Sequence, residues 1–224
     1  MQGALIIGDV HGCIGELKAL LDKHGGDRDV ILVGDLVAKG PDSQAVVQCA
    51  REIGAASMRG NHEAHVMKWR KAHKRGEPVP AMRSVHREVA ESLSEADWEY
   101  LEAMPYYKRL DDFGIVVVHA GFVPGVPLAD QDRNDMINMR SIREDGSASK
   151  RMEDGNPWAS LWPGPEHVVF GHDALRGLQQ HAWATGIDTG CVYGRSLTGL
   201  LLPEHEIVSV AAKKMWCDPM LGGA

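Results

Sequence analysis

Two side chains able to hold a metal ion stand two positions apart at the end of an apolar run. Ala4-Leu5-Ile6-Ile7 leads directly into Gly8-Asp9-Val10-His11-Gly12. In extended chain, residues i and i+2 point to the same side, so Asp9 and His11 can reach one ion together. The same arrangement recurs. Val30-Ile31-Leu32-Val33 ends in Gly34-Asp35, Ala55 to Met58 leads into Arg59-Gly60-Asn61-His62-Glu63, and two further apolar runs end in His119 and His172. The interval from Asp9 to Asp35 equals that from Asp35 to Asn61, close to one strand-helix-strand repeat. Equal repeats place the polar side chains at the carboxyl ends of adjacent parallel strands, the edge of an open α/β sheet where ligands bind. Carboxylate, amide and imidazole donors in this mixture suit manganese, iron, zinc or cobalt better than calcium or a thiolate-bound ion. Asp35, near the middle of the set, can bridge two ions about 3.5–4 Å apart, a separation that clamps both the attacking and the leaving oxygen in phosphoryl hydrolysis.

The elements that must position these residues are legible from periodicity. Short continuous apolar runs read as strands covered on both faces. Between the first two, Ile14, Leu17, Leu20 and Leu21 recur at helical spacing, and the helix can stop at Gly25-Gly26. Ser43 is expected to cap a second helix carrying Val46, Val47 and Ala50. Residues 64 to 104 read as a helical, cap-like insertion, in which Ser94 can cap a helix with Asp97 three residues on. Lys68, Lys71 and Arg75 share a helical face there, either solvated or guiding an anionic substrate. Residues 195 to 212 read as a hairpin closing a second sheet.

Composition limits the alternatives. With 224 residues and 44% hydrophobic content, the chain can bury one substantial core, and a single domain over 1–224 is expected. A net charge of -7 argues against indiscriminate nucleic-acid binding, DNA included, although bound cations and a local basic patch can still admit a polyanion. No apolar stretch approaches the roughly 20 residues of a membrane span. Nor does the start leave room for a signal peptide, so a cytoplasmic protein with no membrane partner is expected. Cys13, Cys49, Cys191 and Cys217 lack CxxC spacing and read as reduced thiols.

Taken together, GDVHG, GDLVAKGP, RGNHE, HAG and FGHDA, followed by GIDTGCVYGRSLTGL, resemble the calcineurin-like metallophosphoesterases. More narrowly they resemble the ApaH-like branch of the phosphoprotein phosphatase superfamily, which contains the symmetrical bis(5'-nucleosyl)-tetraphosphatases. The resemblance runs from residue 8 to about residue 200. It implies an α/β sandwich of two mixed β-sheets flanked by helices. It also implies two divalent ions, one on Asp9, His11 and Asp35, the other on Asp35, Asn61, His119 and His172. His62 matches the proton donor to the leaving group, and the nucleophile would be a metal-bound water. The expected reaction is cleavage of a phosphoanhydride in a dinucleoside polyphosphate such as diadenosine tetraphosphate, split symmetrically. Inorganic polyphosphate, the messenger RNA cap and a serine/threonine phosphoprotein are alternative substrates on the same site, and a non-catalytic binding module ranks below them.

Two departures bear on substrate. Where phosphoserine/threonine phosphatases carry Asp-Arg, this chain has Ala38-Lys39, which disfavours a phosphoprotein and leaves phosphate a point charge in place of a bidentate fork. Ala174 stands where many phosphodiesterases have a second histidine. Lys39 and Arg140 are the expected phosphate contacts. Arg59 is a candidate contact or a structural residue, and Tyr193 is either an aromatic beside the site or a half-buried strand residue. His24, His65, His73, His86, His181 and His205 have no ligand pattern and read as surface or local hydrogen-bonding residues. Trp158 and Trp162 are packing residues or border the cleft.

Overall fold

A computed structural model of the chain describes residues 3–218. The first half alternates strand and helix as β1 (Ala4–Ile7), α1 (Ile14–His24), β2 (Asp29–Leu32), α2 (Ser43–Glu52) and β3 (Ala56–Ser57). Three helices follow, α3 (Asn61–Arg75), α4 (Ser84–Ser92) and α5 (Glu95–Ala103), before β4 (Tyr107–Leu110) and β5 (Ile115–Val118). Next come α6 (Arg133–Asn138), β6 (Ser141–Ile142), β7 (Ala148–Ser149), β8 (Asn156–Pro157) and α7 (Trp158–Leu161). The chain then runs through β9 (His167–Phe170), β10 (Gln179–Gln180), β11 (Ala184–Gly186), β12 (Ser196–Leu202) and β13 (Glu206–Ala211).

Two five-stranded mixed sheets result, ordered β13-β12-β1-β2-β3 and β10-β11-β9-β5-β4, beside a small β7-β6-β8 sheet. β1, β2 and β3 are parallel, as are β5, β9 and β11, while the flanking strands are antiparallel. The fold is thus an α/β sandwich of two mixed sheets with helices outside.

Strand alternation builds the layers. Ala4 and Ile6 of β1 face the inter-sheet core with Ile31, Val117, Val169 and Leu200, whereas Leu5 and Ile7 face the helices, against Leu17, Leu20, Val46 and Val47. The second sheet repeats the pattern: Ile115 and Val117 point inward, while Val116 and Val118 meet Phe122, Met136, Trp158 and Phe170 on the outer face. A strand covered on both faces buries every side chain, at about 1.5–3 kcal/mol for each large apolar one. That is why these runs are continuous instead of alternating.

Two expectations need correction. The helix-capping residue of α2 is Asp42, whose Oδ1 accepts from Ala45 N at 2.9 Å. Ser43 instead lies inside the helix, and its hydroxyl accepts from Ala38 N at 2.9 Å, tying the helix start to the preceding loop. The β12–β13 hairpin belongs to the first sheet, because β12 pairs antiparallel with β1. Six of the seven β12 residues are buried, so the strand needs cover on both faces and sits inside a sheet. Of the two readings of Trp158 and Trp162, packing holds: Trp158 is in the outer core, 2% exposed, packed on Phe170 and against Gly121, while Trp162 lies against Phe122. Ser94 does cap α5, accepting from Asp97 N while Asp97 accepts from Ser94 N.

Candidate metal centre

The loops leaving β1, β2, β3, β5 and β9 deliver Asp9, His11, Asp35, Asn61, His119 and His172 to one region. Asp9, His11, Asp35, Asn61 and His172 line a cleft of about 260 Å³ there, and His119 lies fully buried behind it. His11, Asp35, Ala38, Lys39 and His172 all adopt positive φ, between 45° and 68°. Left-handed backbone is uncommon outside glycine and persists only where the surroundings enforce it. Backbone bonds do so here, with His11 N donating to Asp35 O and Gly12 N to Leu36 O, both at 2.8 Å.

Glu63 does more. Its carboxylate is fully buried and accepts from four main-chain amides: Asp35 N (2.9 Å), Leu36 N (2.8 Å), Val37 N (3.1 Å) and Gly60 N (3.0 Å). One side chain therefore fixes the turn after β2 to the start of α3. Two glycines are required by close approach. A Cβ on Gly60 would strike Asp35 Oδ1, and one on Gly171 would strike Asp9 Oδ1.

Asp35 sits at the centre. Its Oδ2 lies 3.5 Å from His11 Nε2 and 3.9 Å from His62 Nε2, while its Oδ1 lies 3.5 Å from His119 Nε2. Two groups of potential ligand atoms, each within 4.8 Å of one another, share it: His11, Asp35 and His62, and Asp35, His119 and His172. Asn61 Oδ1 is 3.1 Å from His119 Nε2, and Asp9 accepts from His172 N at 3.1 Å.

The donor set fits divalent metal ions, and the hydrogen bonds behind it argue the same. His11 Nδ1 is 3.0 Å from Val37 O, His119 Nδ1 is 3.2 Å from Val33 O, and His172 Nε2 is 3.0 Å from Asn138 O. A carbonyl only accepts, so each of these nitrogens carries the hydrogen. The opposite nitrogen of each ring is left with a lone pair, as a metal-binding histidine requires. Burial first, then Lys39, holds His11 and His62 well below the usual imidazole range; burial, then Arg140, does the same to His172, and burial pushes His119 down to about 4. Neutral imidazoles are the metal-binding form. The carboxylates move the other way: burial, then Asp188 and Asp35, raises Asp9, and burial raises Asp35 to about 6 despite Lys39. Crowded buried carboxylates of this kind need positive charge among them.

Lys39 and Arg140 both line the cleft. Lys39 Nζ lies 3.0 Å from His11 Nε2 and 5.4 Å from the centre of the Tyr193 ring. Burial alone would lower this ammonium, but Asp35, Tyr193 and Asp188 outweigh it and the net shift is upward. Arg140 is fixed by donating to Lys150 O (3.0 Å) and His172 O (3.2 Å). Tyr193 is half-buried at the cleft wall. Arg59 does not join them. Its guanidinium donates to Glu102 O at 2.9 Å and lies over the Tyr106 ring at 5.0 Å, so the segment between β3 and α3 carries it toward the end of α5 and away from the cleft.

Sequence reasoning missed three residues. Glu63 carried a signal, since a Glu at the third helical position can reach back to the helix start. Asp188 follows β11 as Asp9 follows β1, is 5% exposed and lines the cleft. His86 comes from α4 and had no signal, because only packing brings it to His62, at 2.9 Å between His86 Nε2 and His62 Nδ1. Lys68, Lys71 and Arg75 are exposed and do not line this cleft.

Comparison with known proteins agrees with the geometry. The profile of the calcineurin-like phosphoesterases matches residues 4–201. The asymmetrical bis(5'-nucleosyl)-tetraphosphatase PrpE of Bacillus subtilis is 32% identical, with 92% of this chain and 93% of that protein covered. PrpE of Bacillus velezensis is also 32% identical, with 92% and 91% covered. These relatives are named for the asymmetrical reaction, which departs from the symmetrical branch suggested by the motifs. A crystal structure of a candidate diadenosine tetraphosphatase is 36% identical, with a TM-score of 0.84 over 94% of each chain. A serine/threonine phosphatase of Saccharomyces cerevisiae shares the fold alone, with a TM-score of 0.62 at 14% identity. Family profile, relatives and fold lead to one assignment: the chain belongs to the calcineurin-like phosphoesterase family and is a hydrolase.

Proposed function

We propose that the protein hydrolyses a phosphoanhydride bond of a dinucleoside tetraphosphate, with two divalent ions held by Asp9, His11 and Asp35 and by Asp35, Asn61, His119 and His172. The observation that carries this reading is the position of Asp35, whose two oxygens face different histidines and belong to both ligand groups. When bound, such ions neutralise phosphate oxygens and acidify a water molecule. The chain's own residues supply the rest. Lys39 and Arg140 bind phosphoryl oxygens, and Tyr193 packs beside Lys39 at the wall of the same cleft. His62, with Nε2 directed at the shared carboxylate, delivers a proton to the leaving oxygen. Residues 64–104 act as a helical cap of a single domain, since α4 brings His86 against His62.

The names of the relatives favour an asymmetrical cut, giving a nucleoside triphosphate and a monophosphate, over the symmetrical one. Product analysis after incubating metal-loaded protein with diadenosine tetraphosphate tests both. ATP and AMP in equal amounts are expected, absent in an Asp35→Asn control. ADP as the sole product would restore the symmetrical reading. Faster turnover of polyphosphate, capped RNA or a phosphopeptide would overturn the substrate assignment and leave the hydrolytic one.

A further inference from the structure

A proton donor works only if one ring nitrogen faces the leaving atom and the other is held so that the correct nitrogen carries the hydrogen. The ring of His62 is gripped from two sides. His11 meets it edge-on, with centroids 4.9 Å apart and planes at 85°, while His86 lies beside it in nearly the same plane, with centroids 5.0 Å apart and planes at 10°. This geometry suits an in-plane hydrogen bond, and His86 Nε2 lies 2.9 Å from His62 Nδ1. His65, one turn further along α3, meets His86 edge-on at 4.7 Å. His86 is 9% exposed, and its Nδ1 is buried with no hydrogen-bond partner. Among the described residues, the hydrogen-bond partner of its ring is His62.

Resting on the reading of His62 as proton donor, we propose that His86 is a positioning residue, accepting a hydrogen bond from His62 Nδ1 and holding His62 Nε2 toward the reacting atoms. Burial, then His65, Lys39 and Arg83, pushes His86 down to about 4, so at neutral pH it is uncharged and keeps the lone pair that such an acceptor needs. In the step itself the neutral ring, with its hydrogen on Nδ1, first takes a solvent proton on Nε2; Nε2–H then breaks as the leaving oxygen gains that proton, and Nδ1 keeps its hydrogen, still bonded to His86. The acceptor is unchanged before and after transfer, so the ring need not turn. It comes from α4, which makes the helical segment part of the catalytic apparatus and not only a cover.

The test compares His86→Phe, which keeps an aromatic ring and removes the acceptor, with His86→Gln, which restores an acceptor. Metal-loaded enzyme is assayed on p-nitrophenyl phosphate, whose leaving group departs without help, and on phenyl phosphate, whose leaving group needs a proton. General acid catalysis contributes about 10²–10⁴-fold. For His86→Phe the expected loss in kcat is about 10- to 100-fold on phenyl phosphate and under about threefold on p-nitrophenyl phosphate, with KM unchanged on both, and His86→Gln should recover most of it. Nitrogen-15 NMR of the histidine rings in zinc-loaded wild type should show His62 as a single tautomer protonated at Nδ1, lost in His86→Phe. Equal losses on both substrates, or a His62 that averages between tautomers in the wild type, overturn the proposal. The wild-type spectrum decides even where a variant fails to fold. Should His62→Asn show no dependence on leaving group, the proton-donor reading fails, and the spectra still settle whether His86 holds the ring.

Discussion

Glu63→Gln is the substitution that most directly tests how the metal centre is held. The carboxylate accepts two amides on each oxygen: Leu36 and Val37 on Oε1, Asp35 and Gly60 on Oε2. Glutamine is nearly isosteric but has one acceptor oxygen, so in either orientation two of these amides face an NH₂ group. The site is fully buried, which leaves no water to compensate. Each buried donor without an acceptor costs about 1–3 kcal/mol, giving a loss of about 2–6 kcal/mol from two. Burial, with Asp35, pushes Glu63 up to about 7, so the comparison belongs near pH 8, where the carboxylate is ionised. Urea unfolding of the metal-loaded variant and wild type measures the difference. Activity should fall as well, because the same amides hold the Asp35 turn at φ 51°, and a shift of about 1 Å in a catalytic group costs about 10²-fold. A stability loss below about 1 kcal/mol would refute the account. So would full activity in a destabilised variant, since it would mean that the Asp35 turn holds itself.

Other consequences are equally direct. Gly171→Ala places a methyl group on Asp9 Oδ1 and should abolish turnover by more than about 10²-fold, with a wild-type far-UV circular dichroism spectrum. Arg140→Ala should raise KM about tenfold or more through loss of a phosphate contact, whereas Arg59→Ala, whose guanidinium lies on Tyr106 and Glu102, should leave KM within about twofold. Chelation should lower the melting temperature, because Asp9, Asp35 and Asp188 then crowd with Lys39 as the nearest countercharge, and restoring manganese or zinc should recover it; a chelator with no effect on melting would argue against a structural role for the ions.

Of the fold, the central strands were legible because burial on both faces leaves continuous apolar runs, as in Leu5-Ile6-Ile7 and Val116-Val117-Val118. β6, β7, β8 and β10 are two residues each and too short for any period to show. The placement of the β12–β13 hairpin was misread because a run of buried residues says that a strand is covered, not by which sheet. Ser43 was misread because Asp42 beside it is an equally good cap.

The sequence by itself determined which residues gather at the candidate site. Asp9, His11, Asp35, Asn61, His119 and His172 follow strands one after another, and chain connectivity puts strand ends on one edge, so local spacing suffices to gather them. Only the tertiary structure decided what surrounds them. Asp188 beside Asp9 depends on how the two sheets face each other, while Glu63 reaching four amides, Arg59 turned to Tyr106 and His86 bonded to His62 depend on how α3, α4 and α5 pack. Contacts between elements distant in sequence are fixed by side-chain packing and leave no periodic trace in the chain, which is why the candidate ligands could be read and most of their supports could not.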